Sequence, residues 1–425
     1  MSTAPPRAGR VRERKRRPPR VGLALAGGGP LGGIYEVGAL LALADSLEGV
    51  DFRDLDVYVG VSAGGFVAAA LANGISPTQM YRLFIDDSAD AALLPDVFLR
   101  PALAEFARRA ASVPGLAARA MFQWLRDPFR HGPMESLATL AHAVPTGLFD
   151  NRAIGDALRQ IFSASGRTND FRELKAKLFL VATNLDTGAP VVFGAKGRDR
   201  IPISLAIEAS AALPGLFPPV RINGEYFVDG ALNKTLHASL ALDEGVDLLL
   251  CVNPLVPFDA RGIRRREGDA VERPAVGRPS SGGLPLVLSQ TFRAIIHSRM
   301  KVGMDKYVRQ YPRANIVLFE PDPADGDMFF ASIFGYAQRK PLCNVAYRKT
   351  RESLLVRALE LGPKLAKHGI ALRMDRLADS TREATDALSD ARPLHARAIR
   401  ERSVRQTTRD LSHTLDHLER WLAKS

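Results

Sequence analysis

Short apolar runs separated by amphipathic stretches fill residues 21–256. Val21 to Ala26 alternates small and branched apolar residues and stops at Gly27, the pattern of a buried strand running into a tight turn. A helix is expected to follow from about Gly33 to Ala44. Asp56 to Gly60 reads as a second strand, and Ala63 to Asn73 as an alanine-rich helix closed by Gly74, the residue type favoured just past a helix end. Ser76-Pro77-Thr78-Gln79 opens a further helix, with a serine cap, proline in the first turn and glutamine three residues on. Strands are also expected at Leu178 to Thr183, Val191 to Phe193, Phe227 to Val228 and Val246 to Val252, with helical stretches between them. This alternation predicts an α/β fold whose sheet is layered between helices.

The pattern changes after Pro257. Arg261-Gly262-Ile263-Arg264-Arg265-Arg266-Glu267 and the Pro/Gly/Ser stretch ending at Gly283 read as a linker or surface loop over 257–283. A mainly helical extension is expected over 284–371, with one strand-like run at Asn315 to Phe319. A charged helical segment over 372–425 carries Leu411, Leu415, Leu418 and Leu422 as one stripe, read as a core or partner-helix face. No internal repeat is visible.

Charge adds a possible partner. The formal net charge is +12, and Arg7, Arg10, Arg12, Arg14, Lys15, Arg16, Arg17 and Arg20 crowd into the first stretch with only Glu13 opposing. Residues 1–20 therefore read as a disordered basic arm, suited to an anionic membrane surface or serving only as a solvated tail. No RNP, zinc-finger or helix-turn-helix signal accompanies the charge, so nucleic acid is not the expected partner. The apolar run after the arm breaks at Gly27 after six residues, short of the ~7–15 residues of a signal-peptide core. No later run reaches the ~18 apolar residues of a spanning helix. Cys251 and Cys343 have no metal-ligand spacing, so neither a disulfide framework nor a zinc site is expected. Together these features suggest a cytoplasmic protein whose membrane contact, if any, is peripheral. Residues Pro101 to Arg130 are the candidate contact: Phe106, Met121, Phe122, Trp124 and Phe129 lie among Arg108, Arg109, Arg119, Arg126 and Arg130. Ordinary helices packed on the domain would carry the same residues.

Three elements carry chemistry. Gly60-Val61-Ser62-Ala63-Gly64 fits G-x-S-x-G between a strand and a helix, where a strained turn presents the serine hydroxyl above a sheet. Upstream, Gly27-Gly28-Gly29-Pro30-Leu31-Gly32 ends a strand and opens a helix, so that bare backbone N–H groups can converge on an oxyanion. The same spacing could cradle a dinucleotide phosphate, but no acidic residue stands at the end of a second strand about twenty positions on. Downstream, Glu208 to Pro219 leads into Phe227-Val228-Asp229-Gly230-Ala231. An aspartate there could accept the serine proton, or simply form a turn before glycine.

In this order the three elements resemble the patatin-like phospholipase family over about Val21 to Pro254. The resemblance implies a three-layer α/β/α sandwich with a mostly parallel central sheet, followed here by a helical C-terminal extension. It assigns Ser62 as nucleophile, Asp229 as base, and Gly27, Gly28, Gly29 and Gly32 to the oxyanion loop. Gly60 and Gly64 complete the elbow motif, and Gly230 and Ala231 the Asp-Gly-Ala motif. Ala211 to Val220 and Thr146-Gly147-Leu148-Phe149-Asp150 also look like family signatures. The implied activity is hydrolysis of fatty-acyl esters of phospholipids or other lipids through a Ser62 acyl-enzyme, with no metal or organic cofactor. Leu31 stands where many members carry Arg or Lys, which puts substrate preference in doubt. His237 stands where relatives often have proline, and invites a Ser-His-Asp triad that the resemblance does not require. Two other readings remain: an acyltransferase on the same dyad, and a non-hydrolytic protein binding anionic membrane or nucleic acid.

Overall fold

The computed structural model describes residues 18–86, 102, 109, 111, 114–115, 146–259, 283–323 and 338–390. The first apolar run forms β1 (Val21–Leu25), and α1 (Gly29–Ser46) follows at once. The helix begins earlier than its apolar periodicity suggests, because the glycine loop itself supplies the first turn, with Pro30 placed where a missing N–H costs no helical bond. A short β2 (Leu47–Glu48) precedes β3 (Val57–Val61), α2 (Ala63–Ala72) and α3 (Pro77–Phe84). At the start of α3 the Ser76 hydroxyl accepts from the Gln79 N–H at 3.1 Å and the Gln79 side chain accepts from the Ser76 N–H at 2.8 Å, the reciprocal cap its sequence announces.

After α4 (Arg152–Phe162) come β4 (Lys177–Asn184), β5 (Pro190–Phe193), α5 (Ile203–Ser210), β6 (Val220–Ile222), β7 (Glu225–Asp229), α6 (Ser239–Asp243) and β8 (Leu248–Val252). The main sheet has eight strands in the order β6-β7-β4-β3-β1-β8, ending on β9 (Asn315–Phe319), with β5 paired to β4. Strands β4, β3, β1, β8 and β9 run parallel, while β5, β6 and β7 are antiparallel additions at the β4 side. β6 was not expected from the sequence: at three residues it is too short for a two-residue alternation to show.

The central strands are covered on both faces, as a parallel sheet requires. Leu236, Ala238, Ala241 and Leu242 around α6, with Met300 and Tyr307 of α7 (Gly283–Gln310), pack on Ala24, Val57, Val59 and Cys251. α2 covers the opposite face of β1, β3 and β4, and α1 packs against α2. The result is three layers, helix on sheet on helix.

Residues beyond Pro257 continue this architecture. β9 adds a parallel strand beside β8, and α8 (Arg339–Val356) lies along α1. The helices touch at backbone level, since a side chain at Gly38 would run into the Cys343 carbonyl. Residues up to Ala384 belong to one compact unit; 385–425 form a second, of which only the helical 385–390 are described. The Leu411 to Leu422 stripe lies outside the described residues. After α9 (Ala358–Ala366), β10 (Ala371–Leu372) pairs with β2, and α10 (Met374–Ala378) follows. Among the described residues no helix is long and apolar enough to cross a membrane.

One carboxylate fastens the later helices to α1. Asp45, at the buried end of α1, accepts from Tyr347 Oη at 2.7 Å, from Arg382 Nε at 2.7 Å and Nη2 at 2.9 Å, and from Arg376. Burial pushes its pKa up, but the hydrogen bonds from Arg382 and Tyr347 and both guanidinium charges outweigh that and leave it below 3.8. Arg20 is anchored too, although it belongs by composition to the basic arm. Its N–H donates to Asp247 at 2.8 Å and its Nε to Asp56 at 3.3 Å, because the arm's last residue is where β1 enters the sheet.

Asp45→Asn should lower unfolding stability by about 3 kcal/mol at neutral pH, since it leaves two guanidinium groups facing a neutral amide. A depressed carboxylate pKa adds stability that is complete above about pH 4 and is lost as pH falls through the folded-state value. Urea titrations of both proteins across pH 3–7 should therefore converge on the acid side.

Candidate active site

The parallel strands β1 and β3 end side by side, and each hands over directly to a helix. Ser62 sits at the second hand-over with φ 54° and ψ −126°, a region that a non-glycine residue enters at a cost of about 1–3 kcal/mol. The turn lets α2 start at once: the Gly65 N–H already donates to the Ser62 carbonyl at 2.9 Å. It also presses α2 against the neighbouring connection, where any Cβ on Gly64 would lie 2.5 Å from the Ala26 carbonyl oxygen. Glycine is required there by space.

Gly27, Ser62 and Ala231 converge. A Cβ built on Gly27 would stand 3.0 Å from the Cβ atoms of both Ser62 and Ala231, so the glycine loop, the elbow and the Asp-Gly-Ala turn meet without intervening side chains. Gly28 caps α1 and Gly29 is its first residue, so their N–H groups have no carbonyl within the helix to bond. Gly32 differs from the other loop glycines. Its N–H is committed to the Gly28 carbonyl at 3.0 Å, which withdraws it from the expected donor set; it instead lets Pro254 pack closely. Leu31 is buried, and points no charge at the site.

Asp229 ends β7 and is buried to 2% exposure. Its N–H donates to the Ala212 carbonyl at 3.0 Å and its Oδ1 accepts from the Ala231 N–H at 2.8 Å. Burial raises its pKa to about 6; hydrogen bonding from the Ser62 side chain and from the Ala231 N–H limits the rise. The structure thus brings together Ser62 and Asp229, remote in sequence, as direct neighbours. Gly230 is confined because a side chain would collide with the Val181 carbonyl.

His237 is not between them. It lies just before α6 rather than within a helix, in a left-handed conformation at φ 44°. One ring nitrogen bonds the backbone at Gly230, Nε2 has no partner among the described residues, and burial pushes the pKa down to about 4, so the ring is neutral at physiological pH. His131 and His142 lie outside the described residues, as do the aromatic and basic residues of 101–130 except Arg109.

Ser62 opens onto an apolar cavity. Its wall is formed by Ile34 and Val37 of α1, Phe66 and Val67 of α2, Phe84 of α3, Ile154 and Leu158 of α4, Ile207 of α5, and Phe217. The Phe66 and Phe84 rings stack edge to face with centroids 4.8 Å apart. Among the described residues no cluster of three or more His, Cys, Asp or Glu side chains could hold a metal ion.

Sequence reasoning passed over two buried polar residues of α5. Glu208 faces Gly155 of α4, with its pKa pushed up to about 7 chiefly by burial. Ser210 is fully buried and bonds the backbone of Ser62. A polar residue on each side of Ala209, in the last turn of a largely apolar helix, was the available signal.

A family model described as patatin-like phospholipase matches residues 23–242, just over half of the chain. Among solved structures, VipD from Legionella pneumophila is 18% identical, with 77% of this chain and 67% of that one covered and a TM-score of 0.32. The type III effector ExoU of Pseudomonas aeruginosa is 18% identical, covering 80% of this chain and 53% of its own, with a TM-score of 0.31. Human GIVD cytosolic phospholipase A2, in complex with methyl γ-linolenyl fluorophosphonate, is 16% identical at 60% and 44% coverage and a TM-score of 0.21. This chain thus spans about half the length of the latter two. On the family match, whose span takes in the glycine loop, the Ser62 elbow and Asp229, this chain belongs to the patatin-like phospholipase family.

Proposed function

We propose that this protein hydrolyses fatty-acyl esters of lipids, with Ser62 as nucleophile and Asp229 as its base. The observation that carries the reading is the convergence, at bare Gly27, of a strained, buried serine beside an apolar cavity with the turn that bears a buried carboxylate. Family membership supports a lipid as the substrate. The apolar wall suits an acyl chain: it offers dispersion contacts and removes hydrocarbon from water, and it presents almost no polar group to a headgroup.

In the reaction Ser62 Oγ attacks the ester carbonyl carbon while its proton passes to Asp229. The carbonyl oxygen becomes an oxyanion facing the open N-terminus of α1, where the Gly28 and Gly29 N–H groups and the helix dipole favour negative charge. Collapse of this intermediate breaks the ester C–O bond, and the proton on Asp229 goes to the departing alkoxide. Water then attacks the acyl-enzyme, giving its proton to the same carboxylate, and the fatty acid leaves with the Ser62 hydroxyl restored. A carboxylate of ordinary pKa is a poor base near neutrality; burial at Asp229 moves it to where it is both ionised and basic enough.

Ser62→Ala and Asp229→Asn should each cost at least about 1,000-fold in kcat, with the double variant little worse, because parts of one catalytic unit are not additive. Turnover of a medium-chain p-nitrophenyl ester reads this, and His237→Ala should keep most of the activity. A Ser62→Ala enzyme of wild-type activity would remove the reading altogether.

The pH profile has a definite sign. Only ionised Asp229 accepts the proton, so kcat/KM should rise about tenfold per pH unit below a midpoint near 6 and level off above it. An acid limb centred near 4 would show that the carboxylate is not held in this buried state. Asp229→Asn should also melt no lower than wild type at pH 8, because a raised carboxylate pKa means that ionisation opposes folding above that value.

The basic arm is proposed to bind anionic membrane without contributing to the chemistry, at roughly 1 kcal/mol per Lys or Arg near the surface. Removing the residues before Pro18 should weaken co-sedimentation with phosphatidylserine vesicles at low salt and leave hydrolysis of a soluble ester unchanged. Unaltered vesicle binding would make the arm a solvated tail.

A further inference from the structure

We propose that Ser210 is a positioning residue, one that holds Ser62 in its strained conformation and fixes it against Asp229. The inference rests on Ser62 being the nucleophile, and adds a residue to which no chemical step assigns a role.

Ser210 closes α5 and is fully buried. Its Oγ accepts the Ser62 backbone N–H at 2.8 Å and donates to the Val181 carbonyl at 2.6 Å. Val61 and Val181 are partners in the parallel β3–β4 ladder, and the next rung of that ladder joins the N–H following Val61 to the Val181 carbonyl. The Ser210 hydroxyl occupies that rung. It keeps both backbone groups bonded while the chain swings off the strand into the left-handed turn at Ser62.

A buried serine must find partners somewhere, and two bonds to any backbone would satisfy it. Here the bonded N–H belongs to the residue whose backbone is most in need of restraint. Without an acceptor, that buried N–H would gain by turning toward Val181, and Ser62 would relax from its strained φ. The same stretch of chain also holds the other half of the pair, since the Ala212 carbonyl accepts the Asp229 N–H at 3.0 Å. Residues 210–212 are thus bonded to both the nucleophile and the base, and the hydroxyl is the single side chain in that connection.

The test compares Ser210→Ala, Ser210→Thr and Ser210→Cys with wild type and with Ser62→Ala. It reads kcat and KM on a medium-chain p-nitrophenyl ester, the rate of labelling by an alkyl fluorophosphonate, and the melting temperature. Loss of positioning should lower kcat and the labelling rate of Ser210→Ala by about 10- to 100-fold with KM within about twofold, since a misplaced reacting group is costly while the acyl cavity is untouched. Ser210→Thr retains the hydroxyl and should recover most of that loss. If the alanine protein does not fold, Ser210→Cys fills the site with a weaker hydrogen-bonding group, and its kcat must fall below that of Ser210→Thr. A folded alanine variant with wild-type kcat and labelling overturns the inference, as does a cysteine variant of full activity or a folded threonine variant no better than alanine. Full activity of Ser62→Ala would instead overturn the hydrolase reading beneath it.

Discussion

The site depends on the close approach of bare backbone. Two parallel strands, β1 and β3, must each turn into a helix within a residue or two, and a third connection, after β7, must meet them from the antiparallel side. Side chains at Gly27, Gly64 or Gly230 would hold these connections apart. With none there, the start of α1, the Ser62 hydroxyl and the Asp229 carboxylate crowd into one small volume. Ser62 takes its strained φ of 54° at the point where these connections meet.

Burying polar groups in such a site is costly where hydrogen bonds do not replace the lost water. Asp229 loses water on burial and regains hydrogen bonds from Ser62 and Ala231, which is less than full compensation, so its pKa remains raised. The residual cost is why that pKa stands near 6 rather than at the ordinary carboxylate value. Of the described neighbours, His237 is uncharged, and the Ser62 N–H is taken up by Ser210.

The part of the chain beyond Pro257 supports the same arrangement from behind. α8 lies along α1 at the Gly38 contact, and the Asp45 cluster ties α1 to Tyr347, Arg376 and Arg382. Since α1 begins at the glycine loop and carries Asp45 in its last turn, helices late in the chain brace the element whose first residue lines the same cavity as Ser62. β9 extends the sheet on that side as well. Pro254, just before the change in composition, closes on Gly28 and Gly32 and is itself part of the wall of the loop.

Local patterns determined a good deal. The buried strands β1, β3, β4 and β8 are continuous apolar runs because both faces of a parallel sheet are covered, and the Ser76 cap, Gly74 and the Ser62 elbow are short-range signals that survive folding. The glycines and the Asp-Gly-Ala turn were legible for the same reason: their constraint is local and leaves a residue type behind. The start of α1 was misplaced because glycine and proline normally mark a break, and here they form the first turn. The role of Gly32 could not be read from spacing, since only the helix decides that its N–H is already bonded. Arg20 looked like one more charge in a basic run until β1 placed it beside Asp56 and Asp247. The pairing of Asp45 with residues more than 300 positions away, the neutral state of His237, and the insertion of the Ser210 hydroxyl between Ser62 and Val181 leave no local pattern at all. Burial and hydrogen bonding between segments distant along the chain are properties of the folded whole, so the sequence by itself singled out Ser62 and Asp229 as candidates, and only the tertiary structure decided what surrounds and holds them.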